Sequence, residues 1–314
     1  MKKKALILKL LVSVLILGTL IYKVGIKSII DTLLKINILY LPIIFIVIIL
    51  INFFGAWKLM LFFKPVGIKM PFWKIYHYYF LTWCLSLFIP GKIGELWMVY
   101  FLKKEKTSLG IGSAVVIMNK LIGIIVVFFL AIGGMPLFFD AIQSLKIISV
   151  FFIGLLLSIY ILFSNFSRKF IRKFILRKWE SKFEGFSKTL FTLLKNHKPS
   201  ILYNSLLSLI NWITNAFVIY FLFLAFGQHV PILKIILINA ILTIITMIPI
   251  SINGLGIKEY TGVFLFSLLG ISTLTTTSVF LTYLISIYLI SLIYIILFFE
   301  RKNKLNITKS TAKN

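Results

Sequence analysis

Phe88-Ile-Pro-Gly-Lys-Ile-Gly-Glu-Leu96 and Ile248-Pro-Ile-Ser-Ile-Asn-Gly-Leu-Gly-Ile-Lys-Glu-Tyr260 are two interruptions of the same kind in an otherwise apolar chain. Each begins with a proline, whose ring removes a backbone donor and clashes with the preceding turn, so a helix ends there. Each then places glycines where unusual backbone angles or close approach are needed. Each puts a lysine close to a glutamate at the start of the next helix, where a carboxylate suits the positive end of the helix dipole.

Working outward, apolar runs near the roughly 20 residues needed to cross a bilayer recur along the whole chain. The 314 residues are 60% hydrophobic and 13% charged, against about 25% charged in a soluble domain. The expected fold is an all-α polytopic membrane protein, with 1–314 as one integral membrane domain. The longest polar stretch, roughly 165–200, is too short and too basic to build a soluble core. The net charge of +26, from 34 Lys+Arg against 8 Asp+Glu, reads as basic loops facing anionic headgroups rather than as a nucleic-acid surface. A single cysteine, Cys84, excludes an internal disulfide, and His77, His197 and His229 lie far apart. No metal site and no cofactor is expected. The stretch Ala5–Tyr22 after Lys2–Lys4 resembles a signal peptide but lacks a small-residue cleavage site, so it reads as a retained first span.

Six segments read as full crossings: 5–24, 38–63, 111–139, 147–164, 201–226 and 275–299. Lysines and arginines in short loops set orientation. Lys2–Lys4, the lysines of 64–74, Lys103, Lys104 and Lys106, the basic 165–200 segment and the tail after Glu300 all belong inside. Both termini are then cytoplasmic in a cell membrane, with 300–314 a disordered basic tail. The interrupted region 75–102 must enter from the cytoplasm and return to it. The region 232–270 must enter from outside and return there. Their second arms, about 91–102 and 260–270, are too short to cross at 1.5 Å per residue. Two re-entrant helical hairpins entering from opposite faces are expected, the pattern of an inverted repeat. Non-helical backbone at that depth is tolerated only where protein or a water-filled cavity covers it.

Paired interruptions in two halves of a membrane protein are the best sequence pointer to a binding site. The candidate site residues are therefore Pro90, Gly91, Lys92, Gly94 and Glu95 at the first break, and Asn253, Gly254, Gly256, Lys258 and Glu259 at the second. Half-helix N-termini favour phosphate or carboxylate, and Lys92 and Lys258 add positive charge. Glu95 and Glu259 are suited to pair with those lysines, relay a proton or contact an amine. Of the eight acidic residues only these two fall in the breaks, and ionisable groups at that depth are functional candidates by default.

Asn119 and Lys120 lie inside the apolar run 111–139 and complete the candidate set. Either Lys120 faces a central cavity and meets Glu95 or Glu259, or the helix starts near Leu121 and Lys120 sits at the interface. Lys58 reads as a snorkelling residue, and Asn211, Trp212 and Asn215 as helix–helix contacts before cavity lining. In 168–198 the apolar residues Ile171, Ile175, Trp179, Phe183, Phe186, Leu190 and Leu193 recur at helical spacing opposite basic residues. An interfacial amphipathic helix against anionic inner-leaflet lipids is expected there, with a partner-binding helix as the alternative.

At the two breaks the chain resembles the flippase-like family that includes the transmembrane region of lysylphosphatidylglycerol synthases. Pro90-Gly-Lys-Ile-Gly-Glu95 matches that family's Pro-Gly-x-x-Gly-Glu. Asn253-Gly-Leu-Gly-Ile-Lys-Glu259 matches its Gly-Gly-Leu-Gly-x-Arg/Lys-Glu. Asn253 replaces the usual first glycine, and Asn119-Lys120 stands where the family often has Glu-Arg. The resemblance implies a lipid flippase moving an aminoacylated or glycosylated phospholipid or lipid-linked intermediate. It also implies a soluble aminoacyl-transfer domain in bifunctional members. This chain ends about 15 residues past its last span, so no lysyltransferase activity is expected of it. The alternatives are a membrane scaffold for a separate lipid aminoacyl- or glycosyltransferase, docked through 165–200, and a membrane-embedded transferase using Glu95 or Glu259 as base. Membrane lipids are the expected partners, with a transferase as a further one.

Overall fold

The structure is a computed structural model that describes residues 3–88, 94, 97–164, 183–248 and 250–311. All regular structure among them is helical: α1 Lys3–Val24, α2 Ile26–Leu33, α3 Tyr40–Met60, α4 Phe72–Phe88, α5 Trp97–Lys104, α6 Leu109–Gly134, α7 Ala141–Phe163, α8 Phe186–Asn196, α9 Lys198–Ala225, α10 Ile232–Ile245, α11 Ile257–Leu268 and α12 Thr273–Thr311. Five stretches are long and apolar enough to cross a membrane: Ile7–Val24, Tyr40–Val66, Leu109–Leu137, Lys198–Ala225 and Thr273–Phe298. They coincide with five of the six expected crossings, and the sixth, 147–164, overlaps α7.

The boundaries have local causes. Ser108 caps α6 by accepting the Ile111 N–H at 3.2 Å, and Asp140 caps α7 by accepting the Gln143 N–H at 2.7 Å. Pro199 stands in the first turn of α9, where a missing donor costs nothing. Between the first two expected crossings, 25–37 holds the eight-residue α2, which turns Ile29 into the protein. Within 300–314, expected to be a disordered tail, α12 continues to Thr311.

A described helix stands on each side of both interrupted stretches. Their second arms, α5 with 8 residues and α11 with 12, rise only about 12 and 18 Å. The ends of α4 and α5 are clasped together. Lys74 Nζ donates to Glu105 Oε2 at 2.5 Å, Tyr78 donates to Glu105 Oε1 at 2.8 Å, and the Tyr78 and Phe101 rings stack at 4.7 Å. The start of α4 and the end of α5 therefore lie together.

Two apolar cores organise the packing. One gathers α5, the first half of α6 and the second half of α3, through residues such as Leu59, Phe62, Leu102 and Val115. The other gathers α10, α11, the second half of α6 and the first half of α3, through Ile44, Val127, Phe223 and Phe266. The long helices α3 and α9 run against each other, and α6 packs on α10. α8 covers part of the expected amphipathic segment. Its Leu190 and Leu193 are fully buried in the first core, so this half of the segment packs against the protein. Residues 165–182 lie outside the described residues.

Candidate functional site

The two cores leave a cavity of about 390 Å³ between them. Along α6 it runs from Val116 to Ile124, where one core gives way to the other. Lys120 lines it. Because α6 begins at Leu109, Lys120 stands about 17 Å along the helix, too deep for its side chain to reach an interface. Of its two expected positions, the cavity-facing one is observed.

Lys58 overturns the expectation of snorkelling. It is only 8% exposed and lines the same cavity. Its Nζ reaches α6, 3.7 Å from where a Cβ on Gly123 would stand. The reason is packing: α9 covers this side of α3, and Asn204 Nδ2 donates to the Lys58 carbonyl at 2.7 Å.

α9 carries a polar stripe, of which Asn211 and Asn215 line the cavity. Asn204, Ser208, Asn211 and Asn215 repeat at spacings of four, three and four, which places them on one helical face. Asn204 Nδ2 also donates to Asn119 Oδ1 at 3.0 Å, Asn211 Nδ2 to the Ile51 carbonyl at 2.6 Å, and Asn215 Oδ1 accepts from Asn239 Nδ2 at 2.9 Å. The Trp212 indole N–H donates to the Gly123 carbonyl at 3.3 Å. Asn211, Trp212 and Asn215 thus do both expected jobs: they bind neighbouring helices and line the cavity. Asn204 and Ser208 are fully buried behind the cavity wall, where Asn204 holds Asn119 and the Lys58 backbone; neither was singled out, although the three-to-four spacing of polar residues in an apolar run is the signal that finds them.

The second break closes one side. Asn253 has φ +52°, a left-handed conformation that asparagine tolerates better than other non-glycine residues. That explains how it stands where the related motif has glycine. Its Nδ2 donates to the Ser86 carbonyl at 2.7 Å and to the Leu87 carbonyl at 3.2 Å. These are last-turn carbonyls of α4, which have no partner within their own helix. Gly254 and Gly256 follow at φ +81° and +82°, which β-carbon-bearing residues rarely adopt. A Cβ on Gly256 would lie 2.8 Å from the Ser13 carbonyl oxygen, and Ser13 Oγ accepts the Ile252 N–H at 3.0 Å. The break is therefore pinned to α1 on one side and to α4 on the other.

Lys258 lines the cavity with its ammonium 4.3 Å from the Tyr283 ring centroid, a cation–π contact. Glu259 is placed differently. It is 1% exposed, and its Oε2 accepts the Gly256 N–H at 2.6 Å. It holds the start of α11 and stands outside the cavity wall, so the Gly256 N–H expected to face an anion is already occupied.

Asn119, Lys120, Asn253 and Lys258 are thus brought to one cavity, while Gly254 and Gly256 shape the turn between Asn253 and Lys258. Gly94 lies against α4, where a Cβ would meet Ser86 Cα at 2.2 Å. Pro90, Gly91, Lys92 and Glu95 lie outside the described residues, as does Pro249. Lys58, Thr82 and Tyr283 join the cavity without having been singled out as site residues. Among the described residues no group of His, Cys, Asp or Glu is suited to hold a metal.

Membrane-length apolar helices around a cavity walled by lysines and asparagines define a polytopic membrane protein with an internal polar site. The particular family follows from comparison. The chain belongs to the family described as the lysylphosphatidylglycerol synthase TM region, whose model matches residues 6–294. It is also similar to a UPF0104 membrane protein of Methanocaldococcus jannaschii, with 27% identity over 228 residues covering 68% of this chain and 93% of the relative.

Proposed function

We propose that this protein carries a polar-headgroup lipid between the leaflets of the cell membrane. The headgroup sits in the cavity among α3, α4, α6, α9 and α12 while the acyl chains remain in lipid. The observation that carries this reading is the set of three lysines, Lys58, Lys120 and Lys258, lining one cavity inside an apolar bundle. Charges at membrane depth are costly and mark substrate pathways. A volume of about 390 Å³ lies in the range of small-ligand sites, which suits a headgroup and leaves no room for two acyl chains. In this reading α4–α5 and α10–α11 are re-entrant hairpins from opposite faces, an arrangement supported by their short second arms and by the Lys74–Glu105 clasp.

The test is translocation of fluorescent phospholipids in proteoliposomes. Lys58→Met and Lys258→Met are expected to slow translocation about tenfold or more, and Lys64→Met to leave it unchanged. Equal rates in all of them would remove the cavity from the mechanism.

A further inference from the structure

We infer that the headgroup taken by this cavity is a sugar ring, neutral and rich in hydroxyls, carried on a lipid. The inference rests on the reading of the cavity as a headgroup site and names its substrate class.

The first argument is the mixture of donors and acceptors on the wall. Asn211 spends its Nδ2 on the Ile51 carbonyl at 2.6 Å, and a carbonyl can only accept, so Oδ1 is the atom left over. Asn204 points Nδ2 at the Lys58 carbonyl for the same reason, which makes Asn119 Oδ1 an acceptor and leaves the Asn119 NH₂. Asn215 accepts from Asn239 through Oδ1 and is likewise left with its NH₂. All three amides line the cavity. Their leftover atoms are not enclosed: among the described residues, the sealed side-chain atoms without partners belong to Asn52, Thr82, Ser251 and Ser291.

The wall thus sets an acceptor at Asn211 beside donors at Asn215 and Asn119. Asn211 and Asn215 are one helical turn apart, with about 5–6 Å between their Cβ atoms, so one small group meets both. A phosphate oxygen only accepts, and an ammonium only donates. A hydroxyl does both, and a ring bearing several hydroxyls satisfies amides facing it in either sense.

The second argument is the flat apolar surface among those amides. Trp212 lies 14 residues past Lys198, the start of α9, or about 21 Å along the helix. That is far from the membrane interface where tryptophan is usually enriched. Its indole N–H donates to the Gly123 carbonyl at 3.3 Å, which fixes the ring against α6 while it lines the cavity. Trp83 of α4 and Tyr283 of α12 add two further rings. A pyranose has a face of C–H groups that packs on such a ring while its rim hydroxyls reach the amides. A linear aminoacyl or phosphoglycerol group has no such face.

The experiment is equilibrium binding to the purified full chain in a detergent without a sugar headgroup, which requires no transport. The probes are monoglucosyl dioctanoylglycerol, dioctanoylglycerol, dioctanoyl phosphatidic acid, the lysyl ester of dioctanoyl phosphatidylglycerol, and free glucose. The glucosyl lipid is expected to bind about tenfold or more tightly than the other three lipids, with little dependence on salt. Trp212→Leu is expected to weaken it about tenfold, the loss of one aromatic face, and Trp212→Phe to keep most of the affinity. Both variants lose the bond to Gly123, so equal losses would assign the effect to packing and overturn the stacking role. Phosphatidic acid, the lysyl ester or bare dioctanoylglycerol binding as tightly as the glucosyl lipid would overturn the inference. Free glucose competing as well as the glucosyl lipid would uphold the sugar site and overturn its assignment to lipid. Binding as expected with no translocation of any lipid in proteoliposomes would sink the transport reading alone.

Discussion

Asn253 Nδ2 donates to the Ser86 carbonyl at 2.7 Å, and this bond ties the second break of the chain to the end of the helix that precedes the first. Residues 167 positions apart thereby cap one another. One amide closes α4, tolerates the left-handed turn the second break needs, and stands on the wall of the polar cavity. It makes Asn253 sensitive in two separable ways.

Asn253→Ala removes both hydrogen bonds and leaves a β-carbon at φ +52°. It is expected to destabilise the protein by about 2–4 kcal/mol. Asn253→Gly relieves the backbone and loses only the bonds, so it should cost roughly half as much. Thermal unfolding of the two variants in detergent checks the order. An alanine variant as stable as the glycine one would refute the backbone argument.

The dock of α1 on the second break is expected to fail in a coupled way. Gly256→Ala places a methyl 2.8 Å from the Ser13 carbonyl at φ +82°, and Ser13→Ala leaves the Ile252 N–H without its partner. Each should cost about 1–3 kcal/mol. Because both disturb one contact, the double variant should cost less than the sum. Strict additivity in unfolding free energy would show that the two sites are independent.

Thr82→Val should be tolerated by the fold. The native hydroxyl is buried without a partner, so an apolar methyl in its place is expected to leave stability unchanged or raise it by up to about 1–2 kcal/mol. A clear loss of melting temperature in this variant would mean that Thr82 already has a partner in the folded protein.

Acid should loosen the clasp at the ends of α4 and α5. The Lys74 ammonium bonded to Glu105 holds its carboxyl below the usual 4.5, against the opposing effect of partial burial and with help from the Tyr78 hydroxyl. A depressed carboxyl contributes stability that is present above its ordinary value and lost as pH falls through the folded one. Stability should therefore decline below about pH 4.5, modestly because the pair is partly exposed. In Glu105→Gln this component of the acid dependence should disappear. A wild-type and a Gln variant with the same slope in unfolding against pH would rule the clasp out as its source.

The sequence by itself determined the membrane class, the places where helices break and most of the crossings. These follow from apolar run length and from proline and glycine, which act within a few residues of themselves. The helical stripe Asn204–Ser208–Asn211–Asn215 was equally legible as a period, because helix geometry fixes which residues share a face. What that face meets was not legible. Tertiary structure alone decided that Lys58 turns inward, where α9 covers its helix, although its place near a helix end reads as snorkelling. It decided that Lys120 lies mid-helix, since that depends on α6 starting at Leu109. It also decided that Glu259 caps its own helix while Lys258 lines the cavity. Neighbours in sequence point different ways around a helix start, and only the packed neighbours determine which one reaches the cavity.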